Sequence, residues 1–163
     1  MQNENDHNQY QQYFGEEKHT HDRVAILVAR WHPEITEALY QGAVETLEKH
    51  HVERILRLQV PGTYELPLAA RQVAANKNFD AIICLGCVVK GETRHDEYIN
   101  RAVSQGLMHV QLKYRVPVMF GVLTVETYAQ ALDRAGGKHG NKGAECAVAA
   151  LEMIDLLRAL KRG

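Results

Sequence analysis

The sequence predicts an α/β protein: a three-layer α/β/α sandwich with helices on both faces of a central, parallel, four-stranded sheet. Two observations carry this prediction. Short apolar runs rich in β-branched residues alternate with amphipathic stretches at helical spacing from Arg23 onward. The best of these runs are continuously apolar, as expected of strands covered on both faces. Parallel neighbours need crossover connections, which are almost always right-handed, and the intervening helices supply them.

The first strand occupies residues 24–29, an unbroken Val-Ala-Ile-Leu-Val-Ala run. Pro33 then opens a helix, its fixed φ suiting a first-turn position, with Ile35, Ala38, Leu39, Gly42, Ala43, Thr46 and Leu47 at helical spacing. A second strand over residues 55–60 stops at Pro61-Gly62, and a helix carrying Leu66, Ala69, Ala70 and Val73 on one face follows. The third strand covers residues 81–85 and ends at Gly86. A polar loop then leads into a long helix over about residues 95–112. Residues 116–122 form the fourth strand, with Pro117 at its start. Helices over about residues 125–134 and 141–161 complete the pattern. The last is apolar around much of its circumference through Ala147, Val148, Leu151, Ile154 and Leu157, which marks it as central or at an interface. No internal repeat is evident, so residues 23–163 are expected to form one domain with a flavodoxin-like arrangement. Residues 1–22 are rich in Asn, Gln, His and Glu and nearly free of aliphatics. They are expected to be a flexible polar tail, with Tyr10, Tyr13 and Phe14 leaving room for an extra edge strand. His7, His19 and His21 in that tail read as solvated side chains rather than metal ligands.

Composition narrows the function classes. With 45% hydrophobic and 24% charged residues in 163, the chain has enough apolar surface for a single core. A formal net charge of −1 supplies no global basic field, which argues against nucleic acid as a partner while leaving room for a local phosphate site. No apolar run is long enough to span a bilayer, and no secretory signal pattern opens the chain. Three cysteines, Cys84, Cys87 and Cys146, are too few and odd in number for a disulfide framework, so the cytoplasm is the expected compartment. The Cys84-x-x-Cys87 spacing lacks a second pair for zinc and a following helix N-terminus to activate a thiol.

Ligands of open α/β sheets bind beyond the carboxyl ends of the strands. That rule selects Arg30-Trp31-His32, residues 61–65, residues 88–95 and residues 123–125. In the third of these loops, Gly91 and Thr93 among basic residues precede a helix, where free backbone N–H groups and the helix dipole favour an anion. His95 stands at the same mouth, with an imidazole suited to moving protons near neutral pH. An alternative stays open for this loop: Thr93 as a simple helix cap and His95 as an exposed first-turn residue. Trp31 is likewise either a platform for a planar ligand or a hydrophobic staple into the core. The run of residues 134–143 places cations among glycines between two helices, which is either a phosphate site or a flexible basic turn; it is not a P-loop.

Taken together, residues 60–67 (Val-Pro-Gly-Thr-Tyr-Glu-Leu-Pro), Leu85-Gly86 through Lys90-Gly91 to His95, residues 120–124, and Arg134-Ala135-Gly136-Gly137-Lys138 with Gly140-Asn141-Lys142-Gly143 resemble the lumazine synthase family. The resemblance runs from about Arg23 to Lys161. It implies condensation of 5-amino-6-(D-ribitylamino)uracil with 3,4-dihydroxy-2-butanone 4-phosphate, giving 6,7-dimethyl-8-ribityllumazine, phosphate and water, with neither cofactor nor metal. By position, Trp31 corresponds to the aromatic residue that stacks on the pyrimidine, with His32 beside it. Thr63, Tyr64 and Glu65 correspond to contacts with the ribityl chain and ring, and Val88 and Val89 to backbone contacts with the uracil. Glu92 and Thr93 match the phosphate-binding turn, Arg134 the arginine that pairs with phosphate, and His95 the proton-transfer histidine. Phe120 and Lys142 match residues lent by a neighbouring subunit. The resemblance further implies a homo-oligomer, a pentamer that some members build into decamers or 60-subunit shells, with riboflavin synthase as a candidate partner.

Several positions depart from the pattern. The family usually has Phe-Asn where this chain has Trp31-His32, and Trp-His resembles a divergent second type of the enzyme. Glu92 replaces a residue that is commonly small, and Arg94 one that is commonly small and polar. An alternative class is a catalytically weak paralogue that binds flavin or lumazine, or forms shells. Such a protein would purify yellow yet fail to turn over the two substrates.

Overall fold

The computed structural model describes residues 19–162. Most of the expected polar tail, including His7, Tyr10, Tyr13 and Phe14, lies outside the described residues. The elements run β1 (Arg23–Ala29), α1 (Pro33–Lys49), β2 (Arg54–Val60), a single 3-10 turn (Thr63–Glu65), α2 (Leu66–Ala75), β3 (Ala81–Val89), α3 (His95–Tyr114), β4 (Val118–Val125), α4 (Tyr128–Arg134), β5 (Ala135–Gly137), β6 (Gly140–Asn141) and α5 (Lys142–Arg162). The main sheet has the order β2-β1-β3-β4 with every pairing parallel. It is an α/β sandwich of the flavodoxin-like kind.

Alternation along the strands divides the core in two. Val24, Ile26 and Val28 of β1 and Ile83 and Leu85 of β3 face α1 and α5, meeting Ile35, Leu39, Leu47, Leu151 and Ile154. Ala25, Leu27, Ile82 and Cys84 point the other way, onto Leu66, Ala70 and Val73 of α2 and Val103, Leu107 and Val110 of α3. β1 and β3 are central and almost wholly buried, which is why their sequences read as unbroken apolar runs. β2 is an edge strand and leaves Leu56 and Leu58 exposed.

The boundaries of three elements, β3, β4 and α4, differ from the sequence expectation. β3 continues through Gly86 to Val89, because Gly86, Cys87, Val88 and Val89 pair in register with Val122, Leu123, Thr124 and Val125 of β4. β4 correspondingly starts at Val118 rather than residue 116 and absorbs residues 123–125, expected as a loop. Pro117, which has no N–H to offer a ladder, sits just ahead of it and accepts from the Ile82 N–H through its carbonyl. α4 therefore begins only at Tyr128, where Thr127 and Gln130 form a reciprocal capping box. The basic, Gly-rich segment before α5 is a small antiparallel hairpin of β5 and β6, with Gly136 and Gly140 at positive φ.

α1 and α5 cross very closely. A Cβ on Gly143 would lie 1.9 Å from the Leu39 carbonyl oxygen, so only glycine permits the approach. Asn141 locks the crossing. Its Oδ1 accepts from the N–H groups of Gly143 and Ala144, capping α5, while its Nδ2 donates to the Ala38 carbonyl of α1.

His19 and Asp22, expected to belong to a flexible polar tail, are instead buried, with 3% and 1% of their surface exposed. Asp22 lies between His19 Nδ1, at 2.6 Å, and the Arg158 guanidinium of α5, while His19 Nε2 faces Asp155 at 3.5 Å. The hydrogen bond to Asp22 raises the His19 pKa above its ordinary value, against the opposing effect of burial, and Asp155 adds to the rise. Burial alone would push Asp22 up, but its bonds to His19 and Arg158 outweigh that and hold it down.

Two expectations come from this packing. Gly143→Ala should destabilise the fold by at least about 2 kcal/mol in chemical denaturation, because a methyl group has to force α1 and α5 apart. A histidine whose pKa is raised in the fold contributes stability that is complete below its unfolded value of about 6.5. That contribution is lost as pH rises through the folded value. Thermal midpoints should therefore decline on the alkaline side for the wild type, and His19→Asn should flatten that part of the profile.

Candidate functional site

The strand order turns around between β1 and β3, so the connections leaving their carboxyl ends diverge to opposite faces of the sheet and leave a crevice. A cavity of about 450 Å³ occupies it. Trp31 and His32 from the β1–α1 loop line one side, Thr63, Tyr64 and Glu65 another, and Val88, Val89, Thr93 and His95 a third. Gly62 and Gly91, from two of the selected loops, also line it, as do Cys87, Asp96 and Ile99, which the sequence does not single out as site residues. Ile99 had a readable signal, since it lies one helical turn after His95 on the same face of α3. Gly91 belonged to the loop already singled out for its free backbone N–H groups.

Local geometry explains how these side chains reach the cavity. Arg30 N–H donates to the Val60 carbonyl at 3.1 Å and so extends the β1–β2 pairing up to the loop. Trp31 is 70% exposed and lies across Gly62, where an added Cβ would sit 3.2 Å from its Cδ1. It is a wall of the cavity and not a staple into the core. His32 has a left-handed backbone (φ 55°, ψ 61°), and its carbonyl accepts from Ile35 and Thr36 as α1 begins. Thr63 is buried against the backbone of Gly86: a Cβ there would meet Thr63 Oγ1 at 2.6 Å. The Leu85-Gly86 pair therefore has a steric purpose, which is to let the 3-10 turn close over β3. Thr93 Oγ1 accepts from the His95 N–H at 3.4 Å, so Thr93 both supports the start of α3 and lines the cavity. His95 is exposed at the first position of α3.

Four candidate residues fall outside the cavity lining. Glu92 is exposed, with only its neighbours Gly91 and Thr93 reaching the cavity. Phe120, 37% exposed, sits on edge strand β4 opposite Cys84. Arg134, at the end of α4, donates to both carboxylate oxygens of Glu145 at 3.1 Å and to the His139 carbonyl at 2.7 Å. Lys142 reaches the same carboxylate at 3.3 Å. Burial works to raise the Glu145 pKa, but the adjacent Arg134 and Lys142 hold it below its ordinary value.

The three cysteines are buried free thiols. Burial pushes Cys87 and Cys146 up to about 11, and Cys84 higher still, so none offers a thiolate at neutral pH. Among the described residues, no helix is long and apolar enough to cross a membrane.

Fold and site define a doubly wound α/β protein with its ligand cavity at the point where strand order reverses. The model of the 6,7-dimethyl-8-ribityllumazine synthase family matches residues 21–158. The chain is 55% identical over 145 residues to the 6,7-dimethyl-8-ribityllumazine synthase of Cytophaga hutchinsonii, covering 87% of this chain and 91% of that protein. It is 48% identical over 134 residues to the protein of the same name from Parabacteroides distasonis, covering 81% and 84% respectively. The chain belongs to the 6,7-dimethyl-8-ribityllumazine synthase family.

Proposed function

We propose that this protein condenses 5-amino-6-(D-ribitylamino)uracil with 3,4-dihydroxy-2-butanone 4-phosphate to give 6,7-dimethyl-8-ribityllumazine, releasing phosphate and water, as a transferase of riboflavin biosynthesis in the cytoplasm. One observation carries the reading: in a chain of this family, a single cavity collects an exposed indole, a 3-10 turn rich in polar groups, and a histidine at a helix N-terminus.

The reaction needs proximity and proton movement. The ring amine attacks the ketone, phosphate is eliminated, and the second amine closes the ring. Trp31 gives the pyrimidine a flat apolar face, and the backbone groups of Val88 and Val89 stand where its edge is read. Thr63, Tyr64 and Glu65 offer hydroxyl and carboxylate partners to the ribityl chain. The backbone of residues 91–93 and the N-terminal dipole of α3 favour the phosphate, and the Glu92 carboxylate is outside the cavity lining. His95, beside that phosphate, takes and returns the protons of carbonyl addition and phosphate loss.

Phe120, Arg134 and Lys142 complete the cavity from a neighbouring copy in a homopentamer, the unit from which decamers or 60-subunit shells are assembled. Their position supports this. They lie on β4, α4 and α5, away from the chain's own cavity lining, and Glu145 holds the two cations together. With Glu145 and His139 engaged, the Arg134 guanidinium keeps N–H donors free for an anion. Riboflavin synthase, which consumes the product, is the candidate heterologous partner.

Product formation followed by lumazine absorbance, with light scattering for particle mass, tests the reading. His95→Ala should lower kcat about 100-fold or more in an intact assembly. Arg134→Ala should raise KM for the phosphorylated substrate about tenfold. A well-assembled wild type no faster than the spontaneous reaction would falsify the enzymatic reading. Sharing of the site between subunits has its own signature. Inactive His95→Ala and Lys142→Ala proteins, co-refolded at equal amounts, should regain about a quarter of wild-type activity, since that share of interfaces pairs two intact halves. No recovery in mixed assemblies would show that each chain supplies its whole site.

A further inference from the structure

Position 32 is a histidine that lines the cavity. An imidazole there is larger than an amide and can turn about two side-chain torsions, so its usefulness depends on what holds it. The structure shows one ring packed against it. Tyr128 lies with its ring centroid 5.9 Å from that of His32, tilted by 49°, within the distance range of interacting aromatic pairs.

Tyr128 is itself held at both ends. Its backbone opens α4, whose N-terminus is closed by the capping box: Gln130 N–H donates to Thr127 Oγ1, while the N–H groups of Glu126 and Thr127 donate to Gln130 Oε1. Its phenol donates to Glu34 Oε2 at 2.7 Å, in the first turn of α1 and two residues after His32. The Tyr128 ring thus bridges the His32 imidazole and the Glu34 carboxylate, two residues apart at the start of α1. Neither Tyr128 nor Glu34 lines the cavity.

We infer that Tyr128, anchored by Glu34, is a positioning residue that fixes the His32 imidazole at the cavity wall and so tunes how the chain grips its planar substrate. The inference rests on the condensation reading above for the identity of that substrate, the pyrimidine. Its mechanism is conformational: a ring confined before binding loses less freedom when the ligand arrives. Because the grip is made in the ground state as well as later, the effect falls on KM for the pyrimidine and leaves kcat nearly untouched.

A double-mutant cycle tests it. Tyr128→Leu should raise KM for the pyrimidine about fivefold, with little change in kcat or in KM for the phosphorylated ketone. Tyr128→Phe keeps the ring but loses the hydrogen bond to Glu34, so it should recover only part of that loss. In a His32→Asn background, where no imidazole remains to be held, Tyr128→Leu should cost less than about twofold. Losses of equal size in the two backgrounds, or a loss confined to kcat, would overturn the positioning role. Light scattering identifies any variant that fails to assemble, and the Tyr128→Phe and Glu34→Ala pair, which delete the same hydrogen bond, then carries the comparison: equal partial losses that vanish in the His32→Asn background support the role, and no loss, or one that persists there, overturns it. A wild type without turnover overturns the condensation reading itself, whereas an active wild type with additive losses overturns only the role of Tyr128.

Discussion

Among the described glycines, the tightest backbone approach is at the crossing of α1 over the start of α5, and the placement of the basic hairpin depends on it. Gly143 lets the α5 backbone rest directly on the Leu39 carbonyl, and Asn141 ties the two helices while capping the second. The crossing fixes where α5 begins, and hence where Lys142 and Glu145 stand on its first turn. Glu145 in turn orients Arg134 across the β5–β6 hairpin. The Gly-Asn-Lys-Gly run, which reads in isolation as a mobile basic turn, therefore combines two kinds of residue. Asn141 and Gly143 build the joint, and Lys142 is the side chain that the joint presents.

The cavity has a similar division between residues that shape it and residues that face it. Gly86 admits Thr63 to the sheet surface, and Gly62 admits the Trp31 indole. Both close approaches sit at strand ends around the β1–β3 switch, where a parallel sheet already opens a crevice. The exposed indole and the exposed Tyr64 ring are poor choices for an isolated folded chain. They are sensible choices for a wall that a flat ligand or another surface is to cover.

Elements governed by local periodicity were legible in the sequence. β1 and the amphipathic helices have patterns that tertiary contacts only confirm, and the rule that ligands sit beyond strand carboxyl ends selected Trp31, Thr63 and His95 before any contact was known. What depends on pairing was not legible in the same way. The extension of β3 past Gly86 exists because β4 runs alongside it, and neither run shows its end alone. His19 and Asp22 look like solvent-loving residues until Arg158, 136 positions beyond Asp22 in the chain, is brought beside them. Phe120, Arg134 and Lys142 were legible as motif residues, but their place in space follows from the hairpin and the edge strand rather than from any spacing.

The left-handed backbone at His32 has a consequence for how this cavity can change over evolutionary time. Residues with φ near 55° are uncommon outside glycine, and asparagine, aspartate and histidine tolerate that conformation far better than branched or bulky side chains do. The alphabet available at this cavity-lining position is thus restricted by the chain path before chemistry is considered. An exchange of Asn for His keeps the path and replaces the functional group, whereas Val or Ile would have to rebuild the entrance to α1. A change of functional group at this point of the cavity wall is therefore confined to a few polar side chains that keep the chain path.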